Sequence, residues 1–170
     1  MTAEFRIGSG FDSHRFAAGR PLMLCGCLIP FDKGLLGHSD ADAPVHALID
    51  ALLGALALGD IGGHFPDRDP AYRNADSMDL LRRVLDLPAF KDWEIGNADL
   101  TVVTELPKLA PHIEAMRKRL AEGLHTAADN VSVKAKTAEK LGPVGAGESL
   151  EAHAVVLLVR KRGPAGQPLN

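Results

Sequence analysis

The sequence predicts a single α/β domain of the α+β type, in which helices cover one side of a mixed β-sheet. The predicted elements follow the order β-β-α-α-β-α-β-β, and the segment from Ala152 to Arg160 is apolar on both faces, as a central strand is. The chain has 170 residues, 46% of them hydrophobic, which is enough for one core. We assign residues 1–162 to the domain and residues 163–170 to a flexible C-terminal tail.

The first strand is predicted from Phe5 to Phe11, because bulky apolar residues alternate there with Gly8 and Gly10. Successive side chains of a strand point to opposite faces. Asp12 and His14 therefore follow on the face that the glycines leave without side chains.

The second strand is predicted between Pro21 and Pro30, in a run that contains both cysteines of the chain. Cys25 and Cys27 are two residues apart, and a disulfide between them would be strained. We interpret them as small apolar residues of a buried strand, with half of a metal site as the alternative.

The longest helix is predicted from about Ala43 to Leu58, where apolar residues recur every three or four positions. Asp40 or Asp42 would cap its N-terminus, and Pro44 is tolerated because it falls in the first turn. The remaining predicted elements are a helix that is capped by Asp76 or Ser77 and ends before Pro88, a strand over 97–105, a helix from Pro111, and strands over 131–136 and 152–160.

Composition excludes several classes of protein. The formal charge of −3 and the sequence pI of about 6.1 give no electrostatic footprint for nucleic acid. No apolar run reaches the roughly 18 residues that a membrane helix needs. The segment from Met1 to Arg6 has no signal-peptide core, so we expect a cytoplasmic protein.

Three residues form a candidate metal site. Asp12 and His14 share one face of the first strand, and His46 lies in the first turn of the long helix. A carboxylate and two imidazoles with a free position suit Zn²⁺, although other divalent ions fit too. Asp50, one turn after His46, could orient its imidazole. Two alternatives remain open. Asp12 and His14 could simply lie in a surface turn, with His46 an ordinary histidine at the start of a helix, or His38 could be the third ligand.

Two further segments could contact phosphate. His38, Ser39 and Asp40 precede a helix N-terminus, where backbone amides favour an anion, although ordinary capping explains the same residues. Thr137 and Glu139 lie among Lys134, Lys136 and Lys140, and lysines on the wet face of a strand are the commoner explanation there.

Together these residues resemble the 2-C-methyl-D-erythritol 2,4-cyclodiphosphate synthase family, the cyclising enzymes of the non-mevalonate isoprenoid pathway. The resemblance runs in order from Phe5 to Val159. The motifs that carry it are Gly8–His14, Gly34–Asp42, His46–Ala55, Leu58–Gly62, Phe65–Asp67, Pro107–Lys108, Pro111–Ile113 and Val133–Gly142.

The resemblance implies a homotrimer of mixed-sheet subunits with active sites between neighbours. It implies Zn²⁺, or another divalent ion, on Asp12, His14 and His46. Glu139 would bind Mg²⁺ or Mn²⁺ together with the diphosphate of the substrate.

It also implies catalytic roles for His38 and Thr137, which would position or stabilise phosphate. Asp60, Gly62 and the loop Phe65–Asp69 would hold the methylerythritol group, and residues 104–110 and 135–139 of a neighbouring chain would hold cytidine diphosphate. The implied substrate-binding residues are Asp12, His14, His38, Ser39, Asp60, Ile61, Gly62, Phe65, Pro66, Asp67, Asp69, Thr104, Pro107, Lys108, Leu109, Ala110, Ala135, Lys136, Thr137 and Glu139.

The implied reaction is the attack of a substrate phosphate on the β-phosphorus of its own diphosphate, with release of CMP. One segment departs from the family pattern: Pro143 and Ala146 stand where many members have an aromatic residue and an arginine. Binding of isoprenoid diphosphates in a central cavity is therefore in doubt, with Lys136 or Lys140 as partial substitutes for the charge. The alternatives to the cyclase are a non-catalytic module that binds cytidine diphosphate and a zinc phosphoesterase.

Overall fold

The computed structural model describes residues 4–161, so the tail expected over 163–170 lies outside the described residues. Five strands form one sheet in the order β4-β1-β7-β5-β6, and only the β5–β6 pair is parallel, which confirms the predicted mixed sheet. The strands are β1 Phe5–Ala18, β2 Leu22–Leu24, β3 Cys27–Ile29, β4 Lys33–Leu35, β5 Trp93–Val103, β6 Val131–Lys136 and β7 Ser149–Arg160.

The prediction of a single strand between Pro21 and Pro30 is wrong, because this segment forms a hairpin of β2 and β3. Cys25 and Gly26 turn the chain with φ angles of 54° and 71°. Both backbone N–H groups donate to the carboxylate of Asp42, at 2.9 and 2.6 Å. Cys25 and Cys27 are free, and burial raises the pKa of both thiols. The short edge strand β4 was not predicted.

The helices are α1 Ala43–Ala55, α2 Ile61–His64, α3 Ser77–Leu85, α4 Ile113–Gly123 and α5 Gly142–Gly145. Asp42 caps α1 and Asp76 caps α3, as predicted. The helix α1 ends three residues before the predicted end at Leu58, because Ala57 adopts a φ of 56°. The Ala57 and Leu58 N–H groups then bond back to Gly54 and Leu53, which closes the helix with a Schellman motif.

The glycine face of β1 packs against α1. A Cβ atom on Gly8 would lie 1.8 Å from the carbonyl oxygen of Ala51, so only glycine lets the helix backbone come this close. The clearance predicted on this face is thus filled by the helix. The most deeply buried side chains of the core include Leu48, Ile49 and Leu52 of α1.

The other face of the sheet lacks a covering layer in the described part of one chain. Phe5, Ile7 and Phe11 of β1 and Val155 of β7 are 47–71% exposed there. No helix among residues 4–161 is long and apolar enough to cross a membrane.

Candidate metal centre and active site

The strand β1 and the helix α1 bring the three predicted metal ligands together. Asp12 Oδ2 lies 3.0 Å from His14 Nε2 and 3.0 Å from His46 Nδ1, and the two ring nitrogens are 3.4 Å apart. Asp12 and His14 share a face of β1, and His46 lies one turn into α1, directly above them. The third residue of the candidate site is therefore His46 and not His38.

These separations fit one metal ion. Ligand atoms at about 2.0–2.1 Å from a tetrahedral Zn²⁺ are about 3.3 Å from one another. Asp12, His14 and His46 are the one group of this kind among residues 4–161, and they could hold a metal ion.

Each imidazole is fastened through the nitrogen that faces away from the centre. His14 Nδ1 donates to the carbonyl oxygen of Leu36 at 2.8 Å, which leaves Nε2 free for a metal. His46 Nε2 lies 2.9 Å from Ser77 Oγ and 3.2 Å from Ser39 Oγ, which leaves Nδ1. Metal-bound histidines commonly hold their second nitrogen in this way.

The role predicted for Asp50 is wrong. Both ring nitrogens of His46 already have other neighbours, and the Asp50 carboxylate instead accepts the N–H of Ile61 at 2.7 Å. Asp50 thus anchors the start of α2 to α1. Burial raises its pKa, and the hydrogen bond from Ile61 only partly offsets that effect.

The centre is electrostatically coupled. Burial by itself would raise the pKa of Asp12, but hydrogen bonds and charges from His14 and His46 outweigh it and hold that pKa well below its usual value. Burial would also lower the pKa of His14, yet its bond to Asp12 raises it overall. An ionised carboxylate beside two ring nitrogens is a ready cation site.

A cavity of about 220 Å³ opens beside these ligands. Its walls hold most of the predicted residues from the two loops around α1 and α2. Tyr72 and Leu80 also line it and were not predicted. The lining residues are Asp12, His14, His38, Ser39, His46, Ile61, Gly62, Phe65, Asp67, Tyr72 and Leu80.

The loop that carries His38 is tied down on both sides. The His38 carbonyl accepts the N–H of Asn74 at 2.7 Å, and His38 Nε2 lies 3.2 Å from the carbonyl oxygen of Asp69. Arg20 donates to the Ser39 carbonyl at 2.7 Å. The loop therefore presents His38 and Ser39 to the cavity in a fixed conformation.

The predicted sugar-binding loop follows the cavity wall. Asp60 caps α2 through the N–H of Gly63 at 2.9 Å, and Asp69 caps the turn Pro70–Tyr72. Pro66 and Asp67 line an adjoining recess. Two of the predicted carboxylates thus have structural bonds as well.

The predicted cytidine-binding residues lie toward the opposite edge of the sheet, at the ends of β5 and β6. Asp12 on β1 is in register with Ala152 on β7, which is in register with Val102 on β5, and Val102 pairs with Ala135 on β6. Three strand spacings separate Asp12 from Ala135, or about 14 Å. Of residues 104–110 and 135–139, none lines the cavity beside the metal centre.

That second cluster has its own internal bonds. Thr104 Oγ1 donates to the carbonyl oxygen of Leu106 at 2.6 Å, and Thr137 Oγ1 donates to Glu139 at 2.5 Å. Glu105 accepts the N–H groups of Ala138 and Lys140 at 2.9 and 3.1 Å. These contacts join the end of β5 to the loop after β6. The remaining predicted residues on these two segments are Pro107, Lys108, Leu109, Ala110 and Lys136.

The lysines of β6 divide between the two interpretations. Lys134 bonds to the carboxylate of Asp99, and this bond lowers the pKa of Asp99. Lys136 and Lys140 are exposed. Lys134 therefore belongs to the wet face of the sheet, and the other two stay candidates for phosphate.

A mixed sheet with a carboxylate and two imidazoles beside an open cavity defines an α+β protein with a candidate metal site at a small-molecule cavity. The chain matches the YgbB family over residues 5–159 and belongs to that family.

A curated relative and a solved structure carry the same enzyme name. The chain is 56% identical over 157 residues to 2-C-methyl-D-erythritol 2,4-cyclodiphosphate synthase of Bacillus cytotoxicus. The aligned segment covers 92% of this chain and 99% of the relative. A solved structure of a synthase of that name, in a form bound to CDP, superposes with a TM-score of 0.82 at 45% identity, over 90% of this chain and 99% of that one.

A bifunctional protein from Campylobacter jejuni, named IspDF, superposes with a TM-score of 0.89 at 40% identity. The match covers 94% of this chain but 43% of the bifunctional chain. The present chain thus corresponds to one part of that larger protein.

Proposed function

We propose that this chain is a 2-C-methyl-D-erythritol 2,4-cyclodiphosphate synthase. It converts 4-diphosphocytidyl-2-C-methyl-D-erythritol 2-phosphate to the 2,4-cyclodiphosphate and CMP, as a phosphorus–oxygen lyase of isoprenoid biosynthesis. The convergence of Asp12, His14 and His46 beside an open cavity is the observation that carries this conclusion. Identity of 56% to a synthase along 99% of that relative's length agrees with it.

The proposed reaction is an internal phosphoryl transfer. An oxygen of the substrate's 2-phosphate forms a bond to the β-phosphorus. The bond from the β-phosphorus to the bridging oxygen breaks, and its electron pair leaves with CMP. The nucleophile belongs to the substrate, so the protein has to hold two anionic groups in line and neutralise their charge.

Asp12, His14 and His46 are proposed to bind Zn²⁺, and Glu139 to bind Mg²⁺ or Mn²⁺ with the diphosphate. Bound divalent cations would neutralise charge on the phosphates during the transfer. The three donor atoms around the first site support this assignment through their 3.0–3.4 Å separations. Thr137 supports the second by holding Glu139 through its hydroxyl.

His38 and Thr137 are proposed to orient the phosphates. The loop around His38 and Ser39 is held rigidly at the cavity, which supports a positioning role. Residues Asp60, Ile61, Gly62, Phe65, Pro66, Asp67 and Asp69 are proposed to surround the methylerythritol group. The cytidine diphosphate would contact Thr104, Pro107, Lys108, Leu109, Ala110, Ala135, Lys136 and Thr137.

We propose that the last group comes from a neighbouring subunit of a homotrimer. The proposed cytidine-binding residues lie about three strands away from the metal centre of their own chain, and none of them lines the cavity beside it, which supports a contribution from a neighbour. Phe5, Ile7, Phe11 and Val155 form an exposed apolar surface on the uncovered side of the sheet. Such surfaces mark contacts between subunits.

The departure from the family pattern lies around α5. Pro143 is in the first turn of this short helix, and Ala146 is its C-terminal cap. Ala146 has no charge to offer a diphosphate, so we propose that isoprenoid diphosphates bind weakly or not at all in a central cavity.

Product analysis tests the function. Incubation with the nucleotide substrate and Mg²⁺ should release CMP and a cyclic diphosphate, identified by mass spectrometry. A linear product with an added water would instead establish a zinc phosphoesterase. Tight binding of cytidine diphosphate without CMP release would establish a binding module.

A further inference from the structure

Three polar side chains close to His46 are buried, and two of them, Asp42 and Ser77, are not among the residues expected to bind substrate. Ser77 and Asp42 are fully buried and Ser39 is 8% exposed. Asp42 caps α1 and holds the Cys25 turn, so its bonds are structural. Ser77 instead faces the imidazole that would bind the metal.

We propose that Ser77 and Asp40 form a relay that holds His46 in the tautomer whose Nδ1 is free for the metal. They are positioning residues, because they act on the metal centre through the imidazole. The inference deepens the proposed function and rests on its metal site.

The direction of the hydrogen bonds carries the proposal. The Asp40 carboxylate can only accept, and it lies against both the hydroxyl and the N–H of Ser77. The Ser77 hydroxyl therefore donates its only hydrogen bond to Asp40. Ser77 Oγ can then only accept from His46 Nε2, 2.9 Å away. A ring proton on Nε2 satisfies this contact, whereas an unprotonated Nε2 would face a second acceptor.

Ser39 does not set this direction. Its Oγ lies 3.2 Å from His46 Nε2 and accepts the N–H of Ala41 at 3.1 Å. Apart from His46 Nε2, its own hydroxyl proton has no acceptor among the hydrogen bonds of residues 4–161, so Ser39 can serve either tautomer. Ser77 alone of the two has its proton committed elsewhere.

The relay is needed because the other side of the ring favours the wrong tautomer. Asp12 Oδ2 lies 3.0 Å from Nδ1 and would accept a proton held there. A proton on Nδ1 excludes a metal from that nitrogen. The acceptor at Nε2 opposes this, just as the Leu36 carbonyl does for His14 on the other nitrogen.

Asp40 itself is held in place by backbone contacts. Its N–H donates to the Ala75 carbonyl at 3.1 Å, and its side chain accepts the N–H of Asp42 at 3.2 Å. Asp40 thus connects the loop before α1 to the first residue of α3. The relay links the metal centre to the same loop that presents His38.

Zinc affinity is the direct readout. Competition with a chromogenic chelator should give a Zn²⁺ dissociation constant about 10–100 times weaker for Ser77→Ala than for the unmodified chain. Asp40→Asn keeps an acceptor for the hydroxyl but loses the charge, so a smaller loss is expected. The double variant should bind no more weakly than Ser77→Ala, since both changes break one chain of bonds.

Ser132→Ala is the matched control, because Ser132 is exposed on β6 and far from β1. It should leave the zinc constant unchanged. Circular dichroism of the metal-free variants checks that they fold. If Ser77→Ala does not fold, Asp40→Asn carries the test, and an unchanged zinc constant in that variant overturns the relay.

A second readout separates tautomer control from a merely structural role. In the zinc-loaded chain, ¹H–¹⁵N spectra should show a slowly exchanging His46 Nε2–H that is lost in Ser77→Ala. A zinc constant within twofold of the original for Ser77→Ala, or additive losses in the double variant, would overturn the relay. Absence of CMP release from a chain that binds zinc and shows the relay would overturn only the proposed function.

Discussion

A Cβ atom on Gly10 would lie 1.9 Å from the carbonyl oxygen of Ala47, so β1 and α1 touch backbone to backbone at this point. Gly10 is two residues before Asp12, and Ala47 follows His46. The close approach is what places the imidazole of His46 directly over the carboxylate of Asp12.

Gly10→Ala should therefore damage both the fold and the metal centre. The added methyl group meets main-chain atoms that cannot move aside, and we expect a loss of about 1–3 kcal/mol or more in the free energy of unfolding. Zinc affinity should fall with it, because α1 has to move away from β1. Urea unfolding and chelator competition measure the two effects.

Gly54→Ala is the matched control in the same helix. A Cβ atom there would have its nearest neighbour, Ser9 O, at 3.9 Å, so the methyl group fits. Alanine has the higher helix propensity, and the variant should be unchanged or up to about 1 kcal/mol more stable. Equal stability of Gly10→Ala and Gly54→Ala would contradict the packing argument.

Glu105 should control the shape of the loop that carries Thr137 and Glu139. One oxygen of its carboxylate accepts two backbone N–H groups of that loop. Glu105→Ala should raise KM for the nucleotide substrate about tenfold, which corresponds to the loss of about 1.4 kcal/mol of hydrogen bonding. Steady-state kinetics measure it.

Glu105→Gln keeps an oxygen acceptor and should stay close to the unmodified KM. Zinc content should be unchanged in both variants, because the metal centre on β1 is two strands away from β5 in the same chain. A KM for Glu105→Ala equal to that of Glu105→Gln would show that the loop does not depend on these bonds.

Asp42 should make the fold less stable as pH rises through the weakly acidic range. Burial, opposed only in part by three backbone N–H bonds, raises its pKa from 3.8 to about 6. Between pH 4 and 6 the folded chain keeps a proton that the unfolded chain has lost. Its contribution is thus complete below pH 4 and is lost as pH rises to about 6, by on the order of 3 kcal/mol.

Urea unfolding of the metal-free chain at several pH values measures this, with Asp42→Asn as the reference that lacks the titration. The difference in unfolding free energy between the two proteins should shrink from pH 4 to pH 6 and stay level above that. A difference that grows with pH in this window would show that the pKa of Asp42 is lowered instead.

Sequence reasoning could bring Asp12 and His14 together as candidate metal ligands because their geometry is local. Two residues apart on a strand must share a face, and a histidine in the first turn of a helix must lie at its start. Spacing alone left the third ligand open between His38 and His46, since nothing local shows which one reaches β1, and only the family resemblance implied His46. The contact of Gly10 with Ala47 decides it.

The errors have the same origin. Asp50 is one helical turn from His46, but the imidazole of His46 contacts Ser77 instead. Ser77 belongs to α3 and shares no sequence pattern with α1. The cysteine run has the composition of a strand, and only the distant carboxylate of Asp42 makes Cys25 and Gly26 a turn. Contacts between remote segments are not encoded in local periodicity.

The most direct test of the account measures zinc content and reaction products on the same samples of the unmodified chain and of His46→Ala. The unmodified chain should contain bound zinc and yield CMP with the cyclic diphosphate, and His46→Ala should lose both the metal and turnover. Cyclic product formed at the original rate by a zinc-free His46→Ala sample would contradict the account.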